Sequence, residues 1–333
     1  MRVLILGAGG MIGAKLARRL VADGRLAGKK LTALHLVDIA LPPVPDGGKA
    51  LCRAEARDIA SPEAPAALVA SRPDVIFHLA AIVSGEAERD FDTGYRINLD
   101  ATRALFDAIR AEHGISGYRP RLIFSSSLAV YGAPLPDPIP DDHIRAPQTS
   151  YGTQKAIAEL LLDDYTRRGF FDGIGLRLPT VVIRPGLPNA AASGFFSGIL
   201  REPLAGQRSS LPVPPETKHW LASPRAAIGF LVHAAGLDTA AIGPRRTLTM
   251  PGVETTVAQQ IEALARAAGP EAAALIDAAP DPAIARIIAS WPRAFTCDRA
   301  NALGFTSEAT PDELIQVYLE DDAPGAPSPE SPQ

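Results

Sequence analysis

A tyrosine and a lysine stand four residues apart in YGTQK, Tyr151 to Lys155, where an apolar helical pattern begins. Residues i and i+4 share one face of a helix. An ammonium held beside a phenol favours the phenolate and lowers its pKa. The ordinary tyrosine value of about 10 makes a poor base at neutral pH. A tyrosine whose pKa is lowered can exchange a proton with a substrate, as general base or general acid. Alone the pattern is weak, because Y-x-x-x-K more often marks a helix start with a solvated lysine.

A second stretch with chemical meaning is GAGGMIG, residues 7–13, which follows the apolar run VLIL and opens the helical pattern MIGAKLARRLVADG. Gly7, Gly10 and Gly13 give the spacing G-x-x-G-x-x-G, and Gly9 adds G-x-G. Glycines allow a tight turn and let the backbone approach a pyrophosphate. The helix start at Met11 and Ile12 adds N–H donors and the positive end of the helix dipole. Asp38 ends the next strand pattern, 25 residues beyond Gly13. An acid there holds the ribose hydroxyls of an adenosine and repels a 2′-phosphate, which selects NAD over NADP. Asp58 and Ile59 follow the third strand pattern, where they either flank an adenine ring or form an ordinary loop.

The elements that must carry these residues alternate. Strand patterns at 3–6, 31–38, 50–58, 74–81, 121–127 and 173–183 are separated by helical ones, including a long amphipathic helix from Tyr95 and the helix of Tyr151. This rhythm predicts an α/β fold with a parallel sheet covered on both faces. His78 lies inside the fourth strand and reads as a packed core histidine, whereas Asn98 sits in the long helix, where asparagine commonly faces solvent. After residue 184 the rhythm gives way to turn-rich and Pro-rich segments and to helices, one announced by Ser223 and Pro224 as N-cap and first turn. The expected division is a dinucleotide-binding domain over 1–183 with 219–250 returning to it. A smaller, mostly helical substrate lobe spans 184–218 and 251–320, and a disordered tail spans 321–333, which has little to bury.

Composition narrows the function. Of 333 residues 47% are apolar and 21% charged, as in ordinary globular chains. A net charge of −4 and 6% aromatics leave no basic or base-stacking surface, so nucleic acid is not an expected partner. Two cysteines and six scattered histidines imply neither a disulfide framework nor a metal site. No apolar run reaches the roughly 18 residues of a membrane span, and the N-terminus breaks at once into glycines, so a soluble cytoplasmic protein without membrane contact is expected.

With GAGGMIG, HLAA, SSSLAVYG and YGTQK in this order, residues 1–235 resemble the extended short-chain dehydrogenase/reductase family. The resemblance implies a Rossmann-type doubly wound sheet and catalysis by Ser127, Tyr151 and Lys155, with Lys155 also holding the nicotinamide ribose. Asn98 would support the site through its helix, and Leu79, Ala80, Ala81, Ser125 and Pro179 would touch NAD. Thr180 would meet the substrate beside Ser127 and Tyr151. The segment 176–206 is similar, more narrowly, to dehydrogenases that act with NAD on a small sugar acid, which implies oxidation of a C2 hydroxyl to a 2-oxo acid. A nucleotide-sugar epimerase or dehydratase on the same fold, and a non-catalytic NAD-binding regulator, remain alternatives. The family commonly forms homodimers.

A sugar acid needs a cation for its carboxylate, ideally a guanidinium. The candidates are Arg184, Lys218, His219 and Arg225, with Ser84 and Asn189 for hydroxyl groups.

Overall fold

The computed structural model describes residues 1–186 and 193–323. Its centre is a seven-stranded, fully parallel sheet. The strands are β1 (Arg2–Leu6), β2 (Ala33–Asp38), β3 (Cys52–Ala56), β4 (Val75–His78), β5 (Arg121–Ser127) and β6 (Asp172–Leu178), with Thr247–Thr249 returning late in the chain as a seventh. From one edge to the other the order is Thr247–Thr249, β6, β5, β4, β1, β2, β3. The run VLIL is buried on both faces of β1, as a central parallel strand requires. The order reverses direction between β1 and β4, and a crevice opens there at the carboxyl ends of the strands. The late strand escapes the sequence pattern because TLT is three residues long and two of them are polar, yet all three are buried against β6.

Helices cover both faces. Helix α1 (Met11–Asp23) packs Leu16 and Leu20 under Val3 and Ile5 on one side. On the other, α2 (Ser84–Arg89) and α3 (Ala101–Ser116) precede α4 (Ser150–Arg167), and Leu105, Phe106 and Leu162 join Leu4 and Ile76 in a second core. Two glycines decide how closely α1 sits. A side chain at Gly13 would place its Cβ 2.1 Å from the Gly7 oxygen. Gly7 has φ +86° and touches the backbone of Ala80. The helix expected from Tyr95 is not uniform: Tyr95–Asp100 forms a π-helical turn, which buries Asn98 instead of exposing it. Such wide turns often occur where function needs a side chain redirected.

The strand expected over 173–183 divides at Pro179, which has no N–H for a ladder. β6 ends at Leu178, and β7 (Thr180–Val181) leaves the main sheet. It joins β8 (Lys218–Ala222), which pairs antiparallel with Val253–Thr256. Helix α5 (Gly194–Leu204) begins the smaller part of the molecule. Helix α6 (Pro224–Gly236) starts with Ser223 accepting the Ala226 N–H, as the sequence predicts, and packs on the main sheet through Ile228 and Leu231. Helices α7 (Val257–Ala268), α8 (Pro282–Ala289) and α9 (Pro311–Asp321) close a third core with Val182, Phe196 and Leu221.

The disordered tail expected over 321–333 does not hold for its first residues, Asp321 to Ala323. Asp321 ends α9 and pairs with Arg225, while Asp322 pairs with Lys15 of α1 at 2.5 Å. Charged partners from distant helices hold a segment that has no apolar surface to bury. Residues 324–333 of that tail lie outside the described residues. Among the described residues no helix is long and apolar enough to cross a membrane, and no cluster of His, Cys, Asp or Glu could hold a metal ion.

Gly13→Ala should lower the unfolding free energy by about 1–3 kcal/mol, because a methyl group meets backbone there. Gly114→Ala, inside α3 with open space around it, should instead stabilise by about 0.5–1 kcal/mol. Urea titration of the two variants would show opposite shifts, and equal shifts would refute the close-approach argument.

Candidate active site

The site forms where β4, β5 and β6 end against the first turn of α4. Thr149 caps that helix by accepting the Gly152 N–H at 3.1 Å. Gly152 permits a further approach: a Cβ there would lie 2.1 Å from the Ala129 oxygen. The helix start therefore presses on the turn after β5, which sets Tyr151 beside Ser127. The Ser127 hydroxyl accepts the Ala129 N–H at 3.2 Å and lies close enough to the Tyr151 phenol to affect its proton.

Lys155 is buried, and its Nζ donates to the Ser125 oxygen at 2.8 Å. Its ammonium lies 4.7 Å from the centre of the Phe124 ring and 5.7 Å from that of Tyr151. Burial lowers its pKa to about 7, and Glu159 one turn further along α4 opposes that shift. Glu159 is itself wholly buried. Its carboxylate accepts from Ser126 Oγ at 2.5 Å, from Arg177 Nε and Nη2 at 2.9 and 2.7 Å, and from Arg145 Nη1 at 3.0 Å. Arg177 also donates to the Tyr131 hydroxyl. One carboxylate thus ties α4 to the ends of β5 and β6 and to a wall of the cleft. Glu159 and Arg177 are not among the residues expected from the sequence, although an acid at i+4 from Lys155 on an apolar helix and an arginine inside LRLP are visible there.

The expected lowering of the Tyr151 pKa by Lys155 is not what the structure shows. Desolvation dominates and raises the phenol above its ordinary value, while the Ser127 hydroxyl and the Arg184 guanidinium pull the other way. One of the three Lys155 N–H donors goes to the Ser125 oxygen. Arg184 follows β7, donates from Nε to the Val181 oxygen at 2.9 Å and from Nη2 to Ser193 Oγ at 3.3 Å, and has no carboxylate partner among the described residues. Burial works against its charge, and Tyr151 supports it.

These groups face a cleft of about 690 Å³, whose lining includes Ser84, Ser127, Tyr151, Pro179, Thr180 and Arg184. Ser84 opens α2 without capping it, so its hydroxyl is available to the cleft. His219 also lines it, but as a neutral group, since burial pushes its pKa down to about 3; it is no cation for a carboxylate. Lys218 and Arg225 are corrections as well. Along β8 successive side chains alternate in direction, so Lys218 points outward and pairs with Glu254. Arg225 is paired with Glu320 and Asp321 at the start of α6. Neither lines the cleft. Asn189 lies outside the described residues. Glu88, Gln148, Arg286 and Trp291 are lining residues that sequence reasoning missed. The last two come from α8 and its exit, more than 100 residues beyond Tyr151, and no local pattern marks them.

Asn98 does not line the cleft. Its Oδ1 accepts the Ile82 N–H at 2.9 Å, and its Nδ2 donates to the Ile82 oxygen at 3.2 Å and to Gln154 Oε1 at 2.8 Å. It fastens the segment after β4 to α4 and so positions both. His78 is the core residue expected, buried beside Thr102 Oγ1 at 2.8 Å with its pKa pushed down to about 3.

The crevice at the end of β1 fits a dinucleotide. Gly10 starts α1 without a side-chain cap, and the first turn holds no acid, so the N–H groups at Met11 and Ile12 can meet a phosphate. Asp38 stands beside this loop. Its Oδ2 accepts the Gly9 N–H at 2.8 Å and its Oδ1 the Ile39 N–H at 2.7 Å, leaving lone pairs for hydroxyl groups. Asp58 accepts from Ala60 N and from Arg96 Nη1, each at 2.9 Å, and these bonds hold its carboxyl below the usual range; Ile59 beside it is buried. Leu79, Ala80 and Ala81 run along the rim where the Ala80 backbone meets Gly7, and Ser125 Oγ donates to the His78 oxygen at 3.2 Å.

Residues 3–216 match the model of the NAD dependent epimerase/dehydratase family. The chain belongs to that family. It is 47% identical over 328 residues to a D-erythronate dehydrogenase of Cupriavidus necator, covering 96% of this chain and 98% of that one. It is 39% identical to a D-erythronate dehydrogenase of Haemophilus influenzae, covering 97% and 100% of the two chains. A crystal structure described as the nucleoside-diphosphate-sugar epimerase from Agrobacterium tumefaciens superposes with a TM-score of 0.95 at 59% identity, over 96% of this chain and 94% of that one. The family assignment agrees with the glycine loop, the doubly wound sheet and the set of Ser127, Tyr151 and Lys155.

The buried histidines make a pH prediction. His78 and His219 titrate near 3 in the fold and near about 6.5 when unfolded, so between these values only the unfolded chain takes up their protons. Stability should therefore fall as pH drops below about 6.5, by up to about 1.4 kcal/mol per pH unit for each histidine. His219→Phe should reduce that slope between pH 6.5 and 5 in denaturant titrations; an unchanged slope would contradict a buried neutral His219.

Proposed function

We propose that the protein oxidises the C2 hydroxyl of a small sugar acid with NAD, converting D-erythronate to 2-oxo-tetronate. The observation that carries this reading is Arg184, a partly buried guanidinium beside Tyr151 without an acid to pair with among the described residues. A carboxylate gives such a group a bidentate partner. The two full-length relatives named D-erythronate dehydrogenase support the same substrate.

In this reading Arg184 fixes the acid end of the substrate, which places the C2 hydroxyl between Ser127 and Tyr151. The Ser127 hydroxyl orients the reacting oxygen, and Tyr151 removes its proton. Lys155 and Asn98 keep the ends of β4, β5 and α4 in register for this exchange, and Lys155 also meets the nicotinamide ribose. Gly7, Gly10, Met11, Ile12 and Gly13 would hold the pyrophosphate, and Asp38 the adenosine ribose. Leu79, Ala80, Ala81, Ser125 and Pro179 would flank the rest of the dinucleotide. Oxidised nicotinamide supplies the hydride acceptor and a positive charge that favours the Tyr151 phenolate. Ser84 and Thr180 remain for the other hydroxyl groups. Pairing of two copies belongs to the same reading, and the exposed Phe91 and Leu160 near α3 and α4 offer apolar surface for it.

A nucleotide-sugar epimerase or dehydratase is the second reading. The name of the Agrobacterium tumefaciens structure and a cleft roomier than a four-carbon acid requires favour it. A non-catalytic regulator would not need the complete set of Ser127, Tyr151 and Lys155.

Absorbance of NADH decides between them. D-erythronate with NAD⁺ should give a continuous rise, and Tyr151→Phe should reduce kcat by on the order of 1000-fold while NAD affinity stays within a few-fold. Arg184→Gln should raise KM for the acid more than it changes NAD affinity. Conversion of a UDP-sugar without net NADH would move the protein to the second reading. NADP⁺ should support turnover on the order of 100-fold less well than NAD⁺, and Asp38→Ser should narrow the gap; equal use of both by the native protein would remove the role given to Asp38.

A further inference from the structure

Two segments that line the cleft come from different parts of the molecule and carry complementary side chains. One is Val83 with α2, which brings Glu88 to the cleft. The other is α8, which brings Arg286 and Ile287. Val83 is 48% exposed and Ile287 46%, so each segment shows an apolar side chain to solvent. Each also shows a charge. Glu88 is exposed; its Oε2 accepts the Ser150 N–H at 3.0 Å, and no cation pairs with it among the described residues. Arg286 is exposed, and its side chain makes neither a hydrogen bond nor an ion pair among the described residues. An acid and an apolar group thus stand on one segment, a base and an apolar group on the other, with the charges unpaired.

Both segments are lightly anchored. Of the eight residues of α8 only Ile288 is buried, while Ile284 and Ala285 are partly buried against the third core. Of α2 only Ala87 is buried. Behind the exit of α8 a second cavity of about 160 Å³, lined by Leu135, Asp137 and Trp291, leaves that end loosely packed. Elements with few buried apolar contacts open and move at the lowest free-energy cost, and active-site lids are drawn from them. We infer that α8 closes on α2 over the bound substrate, with Arg286 pairing with Glu88 and Ile287 packing on Val83. Closure takes two apolar side chains out of water and joins two opposite charges. Each contact is weak, as a gate that must reopen requires. One Glu88 oxygen is free, so it takes Arg286 without releasing Ser150. The closed lips expel water from Ser127, Tyr151 and Arg184, and in a drier site every charge interaction is stronger. Glu88 and Arg286 act through this movement and are positioning residues. The inference does not depend on the sugar-acid reading, since the lips would close over any substrate of this cleft.

The test measures kcat and KM with NAD⁺ and D-erythronate for Glu88→Gln, Glu88→Arg, Arg286→Glu and the double reversal Glu88→Arg/Arg286→Glu. Glu88→Gln keeps an acceptor for the Ser150 N–H and removes the charge alone, so kcat/KM should fall by about threefold. Each reversal should cost on the order of 10-fold, because like charges then meet in the closed form. Adding Arg286→Glu to Glu88→Arg should recover at least about threefold, whereas two merely structural defects would add. A second arm introduces Val83→Cys and Ile287→Cys together. Under mild oxidation this variant should cross-link faster with NAD⁺ and substrate than without, and the single-cysteine variants, which keep Cys52 and Cys297, should not cross-link. Losses that add in the double reversal, or a cross-link that substrate does not accelerate, overturn the inference. So does a loss confined to Arg286→Glu with both Glu88 variants near native, which would make Arg286 a direct contact to the substrate. If the native protein converts a UDP-sugar and no acid, the sugar-acid reading fails, and the same cycle and cross-link read on that sugar still decide the closure.

Discussion

A lysine ammonium placed between a strand and a helix must be compensated, because removing a charge from water costs several kcal/mol. Lys155 is in that position, and much of the site is arranged around it. One of its N–H donors goes to the Ser125 oxygen, its charge sits near the Phe124 and Tyr151 rings, and Glu159 supplies the opposing charge one turn away. Glu159 in turn is held by Arg177, Arg145 and Ser126. Such a buried network adds little net stability as a whole, but loss of one member leaves the others unpaired. Its effect is therefore on geometry: the ends of β5 and β6 and the start of α4 have one arrangement in which all these hydrogen bonds are made.

The second constraint is close backbone approach. Gly13 lets α1 settle on Gly7, and Gly152 lets α4 settle on Ala129. The first contact places the free N–H groups of a helix at the crevice. The second brings a phenol to the serine at the end of β5. Asn98 completes the frame, since its side chain satisfies both backbone groups of Ile82 and reaches Gln154 of YGTQK. Within that five-residue stretch, Tyr151 faces the cleft, Gly152 gives the approach, Thr153 bonds the Thr149 oxygen, and Gln154 and Lys155 anchor the helix to its neighbours.

Charge within the cleft is unevenly distributed, and this bears on the chemistry. The phenol of Tyr151 is held above its ordinary value by burial, and the Ser127 hydroxyl and the Arg184 guanidinium act against that shift. Arg184 serves two purposes in the proposed reaction: it meets a carboxylate and it favours the phenolate. His219, equally close to the cleft, contributes no charge, and its Nε2 lies 2.6 Å from Thr180 Oγ1. The smaller part of the molecule thus lines the cleft through β7, β8 and α8, while the end of β5 and the start of α4 bring Ser127 and Tyr151 to it.

The sequence alone determined what is local. A spacing of four positions from Tyr151 to Lys155 places both on one helix face, and glycines between an apolar run and a helix make a phosphate loop, whatever the rest of the chain does. The alternation of strands and helices was legible for the same reason, and so was the place of Arg184 at the end of a strand pattern. Tertiary structure decided everything that depends on burial or on distant segments. Alternation along KHW shows that Lys218 and His219 point in opposite directions, but only the packing of Phe196 and Trp291 decides which is inside. The π-helical turn that buries Asn98, the pairing of Asp321 and Asp322 with basic residues far away, and the arrival of Arg286 and Trp291 at the cleft have no local signature. The sign of the Tyr151 shift belongs with them, because it is a sum of desolvation and charge over residues that only folding brings together.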